Sequence, residues 1–353
     1  MKAYVLHGID DLKYDEVSVP DIGSNEVLVK VHAAGICGSD IPRIYKTGTY
    51  SYPLIPGHEF SGEVIEVGSD VENEWKSKRV GIFPLIPCKK CIPCQNKQYE
   101  LCRHYSYLGS RTNGGFAEYV AVPEWNLIEL PQNVTYEQAA MLEPMAVAIH
   151  AMRRACKGNE DSNRKIVVYG LGTIGILLTM YLKEADFSNV FVIGNKEFQR
   201  KMVKNLGINV NCFCDSRKYN VYEWIMSQTN NRGADIIFEC VGRNDTINDA
   251  IMCAAPGAIV QLIGNPASDI SFERNIYWKI LRNQLTVLGS WNSSFYHGIQ
   301  DDWHYALNKL QQERIHPEQF ITHKLSLEEL EHGLHIMRDK MEEYVKVMMV
   351  NNF

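Results

Sequence analysis

Residues 166–184 read IVVYGLGTIGILLTMYLKE, a short apolar run, three spaced glycines and a second apolar run. The run 166–169 has the length and branched side chains of a buried parallel strand, and 176–184 reads as a helix. Gly170, Gly172 and Gly175 would allow a tight turn, a pyrophosphate close to the helix N-terminus, and close helix–sheet packing. The pattern therefore predicts a dinucleotide-binding turn; the alternative is a tight turn that binds no ligand.

Strand-like runs alternate with helical segments on both sides of this motif. A helical run covers 146–155, and further apolar runs occupy 190–193, 235–239 and 259–264. Alternation of this kind predicts a doubly wound parallel sheet of the Rossmann type. We assign residues 146–289 to this α/β domain.

The preceding 145 residues have a different texture. They are rich in glycine, proline and short alternating runs, for example 27–31 and 62–68, which is typical of an irregular β-rich domain with many turns. From Trp291 the sequence returns to mixed structure and ends with a strand-like run at 344–349.

The composition excludes several classes of protein. The chain has 353 residues, of which 45% are hydrophobic and 22% charged, and its net charge of −6 argues against nucleic-acid binding. No apolar run approaches the roughly 18–20 residues that span a bilayer, and the N-terminus has no apolar signal core. We therefore expect a cytoplasmic protein. Its ten cysteines then suggest metal binding before disulfide formation.

Four of these cysteines lie within one short segment, at positions 88, 91, 94 and 102. Four thiolates in such a segment can close a tetrahedral site around structural zinc, or hold an iron–sulfur cluster. A site with four protein ligands has no open position for a substrate. We therefore expect this cluster to lie outside the chemistry.

A second possible metal site combines Cys37, in the segment GICGSD, with His58, in PGHEF. A thiolate and an imidazole suit zinc, and a catalytic zinc needs a third protein ligand plus an open position. Spacing alone does not connect the two, because a lone cysteine or histidine is more often a packed residue.

The end of the second predicted strand bears on the choice of cofactor. NAD-binding chains usually carry an acidic residue there, which accepts hydrogen bonds from the adenosine ribose. Gly194 occupies this place, and Asn195, Lys196 and Arg200 follow. The absence of a carboxylate beside cations favours NADP over NAD. The alternative is that Lys196 and Arg200 are ordinary solvated residues and that cofactor use is relaxed.

Ordered motifs along nearly the whole chain resemble the zinc-dependent medium-chain alcohol and polyol dehydrogenases. They are Gly35–Asp40, Gly57–Gly62, the cysteine segment 88–102, Gly114–Tyr119 and the glycine motif. The resemblance implies an irregular, β-rich GroES-like catalytic domain formed by residues 1–145 with 290–353. It also implies a Rossmann-type domain over 146–289.

The resemblance implies a role for each matching residue of the metal sites. Cys37, His58 and Glu143 match the ligands of a catalytic zinc, and Glu59 matches a neighbouring or exchangeable ligand. The four clustered cysteines match the ligands of a structural zinc, Cys88, Cys91, Cys94 and Cys102. Two zinc ions per chain are therefore expected.

Cofactor contacts are expected from the glycine motif, from the end of the second strand and from the terminal strand. Lys346 is included because it matches a basic residue near the cofactor pyrophosphate, although a surface role is the plain alternative. The full set is Gly170, Gly172, Thr173, Ile174, Gly175, Gly194, Asn195, Lys196, Arg200 and Lys346.

The resemblance places the hydroxyl of Ser39 at the substrate oxygen, where it starts proton transfer. Several members carry a histidine five residues after the cysteine to pass this proton to solvent, but the present chain has Pro42. The proton would then leave through water, through the polyol's own hydroxyl groups, or through Glu59. We therefore expect Ser39 and Glu59 to be catalytic, and the histidine relay is in doubt.

Recognition of a phosphorylated substrate requires cations. Arg43, Lys46 and Arg111 are the candidates, with Arg43 the first choice, and Trp291 is expected to line the pocket. The alternatives are that the arginines are surface charges or subunit contacts and that the tryptophan belongs to the core.

The resulting hypothesis is a zinc-dependent dehydrogenase acting on a secondary alcohol of a polyol phosphate, with NADP favoured over NAD. The same chemistry on unphosphorylated, sorbitol-like polyols is the first alternative, and a non-catalytic relative that senses NADPH is the second. The family implies a homodimer or homotetramer with a small-molecule substrate.

Overall fold

The computed structural model describes residues 1–156 and 162–351. Contacts divide the chain into two compact units, Met1–Pro144 with Ser294–Phe353, and Met145–Ser293. Below they are called the first and the second unit. That residues 1–145 with 290–353 and residues 146–289 form two separate domains stays a prediction. Positions 157–161 and 352–353 of these ranges lie outside the described residues.

Short strands joined by turns make up the N-terminal part of the first unit. The strands are β1 (Lys2–Gly8), β2 (Asp11–Glu16), β3 (Glu26–Gly35), β4 (Glu59–Val67), β5 (Arg79–Ile82), β6 (Leu85–Ile86), β7 (Ser106–Tyr107), β8 (Tyr119–Pro123) and β9 (Leu127–Glu129). The helices that begin in this part are α1 (Asp40–Pro42), α2 (Ile92–Gln95), α3 (Tyr136–Ala140) and α4 (Leu142–Ala155).

The second unit alternates strands and helices. The strands are β10 (Lys165–Tyr169), β11 (Asn189–Gly194), β12 (Phe213–Asp215), β13 (Ala234–Glu239), β14 (Ala254–Leu262) and β15 (Thr286–Gly289). The helices are α5 (Thr173–Glu184), α6 (Glu197–Asn205), α7 (Val221–Gln228), α8 (Asn244–Met252) and α9 (Arg274–Arg282).

All pairs in this six-stranded sheet are parallel, in the order β12-β11-β10-β13-β14-β15. Parallel strands need crossover connections, which the intervening helices supply. β10 is buried between neighbours on both sides, which explains its continuous apolar sequence. The predicted Rossmann-type sheet is confirmed.

The chain then returns to the first unit through four elements. They are α10 (Asp302–Gln311), β16 (Ile321–Leu325), α11 (Leu330–Asp339) and β17 (Lys346–Val350). β17 pairs in parallel with β16 and antiparallel with β3, so segments far apart in sequence share one sheet. That seven-stranded sheet runs β16-β17-β3-β4-β5-β9, with β8 also paired to β3. The predicted GroES-like, β-rich part is confirmed.

The core of the first unit lies around this mixed sheet. Val29, Val31, Phe60 and Val347 are fully or almost fully buried in one apolar cluster. The cluster holds β3, β4 and β17 together; Cys37, His58 and Glu59 lie at adjacent ends of β3 and β4, and β17 begins with Lys346. Among the described residues, no helix is long and apolar enough to cross a membrane.

Candidate active site and metal centres

The four clustered cysteines form a compact group of sulfur atoms. The Sγ of Cys91 lies 3.4 Å from that of Cys94 and 3.9 Å from that of Cys102, and Cys88 lies 3.9 Å from Cys94. Zinc–sulfur bonds of about 2.3 Å in a tetrahedron place sulfur atoms roughly 3.8 Å apart. The thiols therefore fit a structural zinc.

The surroundings of this segment shift the pKa values of two of the thiols in opposite directions. Backbone N–H groups of Arg103 and Cys94 lower the pKa of the Cys91 thiol to about 6, while burial raises the pKa of Cys94. A bound cation would favour the thiolate at both positions, since metal ligation requires deprotonated sulfur.

The cysteine segment is anchored to the core through Trp125. The ammonium group of Lys89 lies 5.0 Å from the centre of the Trp125 ring system, and the Tyr99 ring is also 5.0 Å away. Trp125 in turn contacts Phe83 and Phe295, which are buried. The segment is therefore held by aromatic and cation–π contacts as well as by its cysteines.

The second group of ligands lies where β3 and β4 pair. Gly35, the last residue of β3, is opposite Glu59, the first residue of β4, so Cys37 and His58 come together. The ligand atoms of Cys37, His58 and Glu59 all lie within 4.8 Å of one another. His58 and Glu59 are buried, and a thiolate, an imidazole and a carboxylate are a donor set suited to zinc.

Glu143 lies in the first turn of α4 and is buried. It is not a member of the close group of three, and its Oε1 accepts a hydrogen bond from the Tyr107 hydroxyl at 3.3 Å. Burial raises the pKa of Glu143 to about 7, with the Glu59 carboxylate adding to the effect and His58 opposing it. Of the two predicted carboxylates, Glu59 is therefore the nearer to the cysteine–histidine pair, and the role of Glu143 as third ligand stays a prediction.

Asp40 is a site residue that the sequence reasoning missed. It is fully buried, and its carboxylate accepts hydrogen bonds from the Cys37 backbone N–H at 3.0 Å and from Arg43 Nη1 at 2.8 Å. Its Oδ1 also lies 3.3 Å from His58 Nδ1, without forming a hydrogen bond. Burial opposes its ionisation, but His58 and Arg43 outweigh it and the pKa of Asp40 falls below its ordinary value.

The buried Nδ1 of His58 has no hydrogen-bond partner. A metal-ligating histidine usually donates its other ring N–H to a carboxylate, which fixes the ring. Asp40 stands where such an acceptor is needed, three residues after Cys37. Its position within the segment GICGSD was the signal that the sequence offered.

Lys346, at the start of β17, is buried against the same group. Its ammonium forms an ion pair with Glu59 Oε2 and donates a hydrogen bond to the Ile36 carbonyl at 3.1 Å. A Cβ atom at Gly35 would collide with the Glu59 carboxylate, so only glycine lets this pair pack against β3. At 1% side-chain exposure Lys346 has no surface role, which removes that alternative; its cofactor contact stays a prediction.

Ser39 lies beside the proposed ligands. Its hydroxyl donates a hydrogen bond to Cys37 Sγ at 3.3 Å. Pro42 ends the three-residue helix α1 and offers no titratable group. The structure thus places the Ser39 hydroxyl next to the candidate metal ligand Cys37. The position that would carry the relay histidine is occupied by Pro42.

The glycine motif opens a cavity of about 710 Å³ in the second unit. Gly170 has φ +96°, a conformation that favours glycine, and it lines the cavity with Gly172. Gly194 and Asn195 line it as well. The structure therefore brings the glycine motif and the end of the second strand together in a space of the size used by nucleotide ligands.

Two arginines on this cavity were not predicted. Arg217 lines it while binding the Asp215 carboxylate through Nε and Nη2 at 3.0 and 2.7 Å, and Arg243 lines it too. Sequence reasoning missed Arg217 because the strand before it, β12, has only three residues. Of the predicted cations, Arg200 lines a neighbouring cavity of about 550 Å³, and Lys196 is the N-cap residue of α6.

The remaining cofactor residues begin α5. Thr173 and Ile174 occupy its first turn, and a Cβ atom at Gly175 would collide with the Gly170 carbonyl. Their contacts with a cofactor stay predictions.

The predicted substrate residues are in unlike environments. Arg43 is ion-paired to Asp40, whereas the guanidinium of Arg111 lies 4.2 Å from the ring centres of both Tyr50 and Tyr105. Trp291 belongs to the second unit and is 54% exposed, which argues against the alternative that it is a core residue.

Comparisons with known proteins agree with this arrangement. The family model described as "Alcohol dehydrogenase GroES-like domain" matches residues 23–132, and the model described as "Zinc-binding dehydrogenase" matches residues 173–312. The chain belongs to the zinc-dependent medium-chain alcohol and polyol dehydrogenases. The predicted family and the prediction of an NAD(P)-dependent oxidoreductase are confirmed.

Two of the similar proteins are galactitol 1-phosphate dehydrogenases. Galactitol 1-phosphate 5-dehydrogenase of Escherichia coli (strain K12) is 33% identical over 93% of this chain and 94% of its own length. A crystal structure of galactitol-1-phosphate dehydrogenase from Escherichia coli matches with a TM-score of 0.91 at 31% identity, covering 99% of this chain and 100% of the other.

Two further relatives bear on substrate and cofactor. A sorbitol dehydrogenase of Halalkalibacterium halodurans is 30% identical over 99% of each chain. The structure of a putative zinc-binding dehydrogenase from Sinorhizobium meliloti 1021 bound to NADP matches with a TM-score of 0.89 at 27% identity, over 99% of each chain.

Proposed function

We propose that this protein transfers a hydride between a secondary alcohol of a polyol phosphate, resembling galactitol 1-phosphate, and a nicotinamide cofactor. The observation that carries the proposal is the close group of Cys37, His58 and Glu59, in which the histidine and the glutamate are buried, with the buried Glu143 nearby. Likeness to galactitol 1-phosphate 5-dehydrogenase supports the substrate class.

A zinc ion held by Cys37, His58 and Glu143 would supply Lewis-acid polarisation of an alcohol oxygen. Glu59 would be an exchangeable ligand or a supporting carboxylate, and its ion pair with Lys346 offsets its charge. Cys37 and Glu143 then balance the two charges of zinc. Asp40 would hold the imidazole of His58 in one orientation.

Ser39 would bind the substrate hydroxyl and receive its proton at Oγ. The hydroxyl now donates to Cys37 Sγ, so it is already directed at the ligand group. Because Pro42 replaces a histidine, the proton would continue through water, the polyol's own hydroxyl groups or Glu59.

NADP is the favoured cofactor, with NAD as the alternative. A Cβ atom at Gly194 would lie 2.6 Å from Gln199 Oε1, so an acidic residue fits there only if Gln199 moves. Gln199 is itself fixed, since its Oε1 accepts from the Asn195 N–H and its amide donates to the Leu171 carbonyl. This arrangement supports a site that does not repel a 2′-phosphate.

The test is a panel of hexitols and pentitols, with and without a phosphate, assayed with NAD⁺ and NADP⁺ in parallel. We expect the highest kcat/KM for a phosphorylated polyol with NADP⁺. Equal or higher kcat/KM for unphosphorylated polyols would favour the sorbitol-like alternative, which the sorbitol dehydrogenase relative supports. Strong preference for NAD⁺ would contradict the cofactor proposal.

Metal analysis separates the enzyme from a non-catalytic sensor of NADPH. Two zinc ions per chain are expected, one at each cluster. One zinc per chain, with NADPH binding retained and no turnover on any polyol, would favour the sensor.

We also propose that the protein is a cytoplasmic homodimer or homotetramer. β15 is the outer strand of the six-stranded sheet, and its Val287 is 39% exposed. Such an edge is suited to pairing with a second copy. The ten cysteines, four of them in one group suited to a metal ion, favour a compartment in which thiols stay reduced.

A further inference from the structure

Arg111 lies against two tyrosine rings, and it belongs to a tightly held loop. Its backbone N–H donates to the Tyr107 carbonyl at 2.9 Å, and the Gly109 N–H donates to the Thr112 carbonyl at 2.8 Å. Gly109 has φ +79°, which favours glycine and closes the turn. The loop therefore fixes where the Arg111 side chain begins.

The guanidinium of Arg111 is only partly satisfied. Nη1 donates to the Tyr105 carbonyl at 2.8 Å, but Nε is buried without a hydrogen-bond partner. Within residues 1–156 and 162–351, no carboxylate lies within ion-pairing distance of it. A buried donor without an acceptor is unfavourable, so an anion that accepts a hydrogen bond from Nε would be stabilised there.

The edge of the guanidinium formed by Nε and Nη2, which has no acceptor in the part of the protein that the structure describes, is suited to an anion with two oxygens. Nη1 is occupied, which leaves Nε and Nη2 side by side as parallel donors. Two parallel N–H groups match two oxygens of a phosphate or a carboxylate, whereas a lysine offers only a point charge. The rings of Tyr50 and Tyr105, each 4.2 Å from Cζ, hold the plane of the fork.

A series of contacts between aromatic side chains leads from Arg111 to the candidate metal ligand His58. The ring of Tyr105 is 6.2 Å from that of Tyr107, which is 5.8 Å from the His58 ring. Tyr107 also donates its hydroxyl to Glu143. An anion bound at Arg111 would therefore lie a short way from the proposed metal ligands, as the far end of a polyol chain requires.

Arg43 differs from Arg111 in the respect that matters. It is ion-paired to the fully buried Asp40 at 2.8 Å, so the Asp40 carboxylate already neutralises its charge. Release of Arg43 to a substrate would leave Asp40 with one hydrogen bond fewer next to His58. These contacts favour Arg111 over Arg43, the first choice from the sequence, as the residue that recognises phosphate.

We propose that Arg111 is the residue that recognises the phosphate monoester of the substrate, with Tyr50 as the side chain that moves aside to admit it. Tyr50 is 74% exposed and is the less confined of the two flanking rings. This inference rests on the proposed function, and it adds which group confers preference for a phosphorylated polyol.

The test compares kcat/KM for a hexitol 1-phosphate and for the same hexitol without phosphate in the zinc-loaded protein. Arg111→Ala should lower the value for the phosphorylated substrate roughly 10- to 150-fold and leave the other within about threefold. Arg111→Lys keeps the charge but loses the fork, so it should recover only part of the loss. Lys76→Ala, an exposed cation of the first unit outside both groups of candidate metal ligands, is the control and should change neither value.

Several results would overturn the inference. An equal loss on both substrates would mean that Arg111 only supports the loop, and an unchanged ratio would mean that it does not recognise phosphate. A larger effect on a hexonate than on the hexitol phosphate would assign the site to a carboxylate. If the wild type oxidises the hexitol with no benefit from the phosphate, the inference fails while the dehydrogenase stands.

If the wild type oxidises no polyol, the proposed function fails instead. Binding of the hexitol 1-phosphate, followed by phosphorus NMR, then decides the role of Arg111. Binding to the wild type that is lost in Arg111→Ala supports the inference, and binding that is absent or unaffected by the substitution overturns it.

Discussion

At the scale of single residues, Cys37 and Ser39 are proposed to have different roles in the catalytic site: Cys37 binds the metal ion, and Ser39 accepts the substrate proton. Substitution Cys37→Ser removes a thiolate ligand, and we expect turnover to fall roughly 100-fold or more because Lewis-acid stabilisation contributes several kcal/mol. Zinc content should drop from two ions to one, with the thermal midpoint little changed. A variant that keeps two zinc ions and full turnover would contradict the assignment.

Ser39→Ala tests proton transfer apart from metal binding. The hydroxyl is the group next to Cys37 Sγ that can take a proton from the substrate, so turnover should fall about 100-fold while zinc content stays normal. Ser39→Thr keeps a hydroxyl and serves as the control. Unchanged turnover in Ser39→Ala would remove this residue from the mechanism.

At the scale of elements, we expect the cysteine segment to stabilise the fold and to take no part in the chemistry. Cys91→Ser should first lower the thermal midpoint, because a structural metal contributes directly to folding free energy. Turnover per zinc-loaded, folded molecule should stay near that of the wild type, in contrast to Cys37→Ser. Loss of turnover with an unchanged thermal midpoint would show that the cysteine segment serves the reaction.

Elements also show what the sequence could predict. β10 and α5 are local, strongly apolar and separated by the glycine motif, so their positions follow from periodicity. β12 is only three residues long, and its absence from the prediction hid Arg217. α4 begins at Leu142, earlier than the predicted 146, which puts Glu143 in its first turn.

The partners of Lys346 and Asp40 could not be predicted from local pattern. Lys346 contacts Glu59 across 287 positions of sequence, through the pairing of β17 with β3. Asp40 contacts His58 because β3 and β4 are paired. Residue types and motif order predict the metal ligands, but only the sheet determines which charges neutralise one another.

At the scale of the whole molecule, both groups of candidate metal ligands belong to the first unit, and the glycine-lined cavity belongs to the second. Chelation should therefore lower the stability of the first unit while NADPH binding, followed by its fluorescence, persists. Calorimetry of the chelated chain should show a transition that moves to lower temperature and is restored by zinc. Loss of NADPH binding on chelation, reversed by zinc, would contradict this division.

The pairing of Lys346 with Glu59 has a consequence for the time at which the first unit can mature during synthesis. At translation rates of roughly 5–20 residues per second, the segment between the two residues takes on the order of 15–60 s to make. Throughout that interval a nascent chain carries Cys37, His58 and Glu59 without the cation that neutralises the carboxylate. Zinc acquired on the ribosome would therefore meet a more negative and more open site than the finished protein offers.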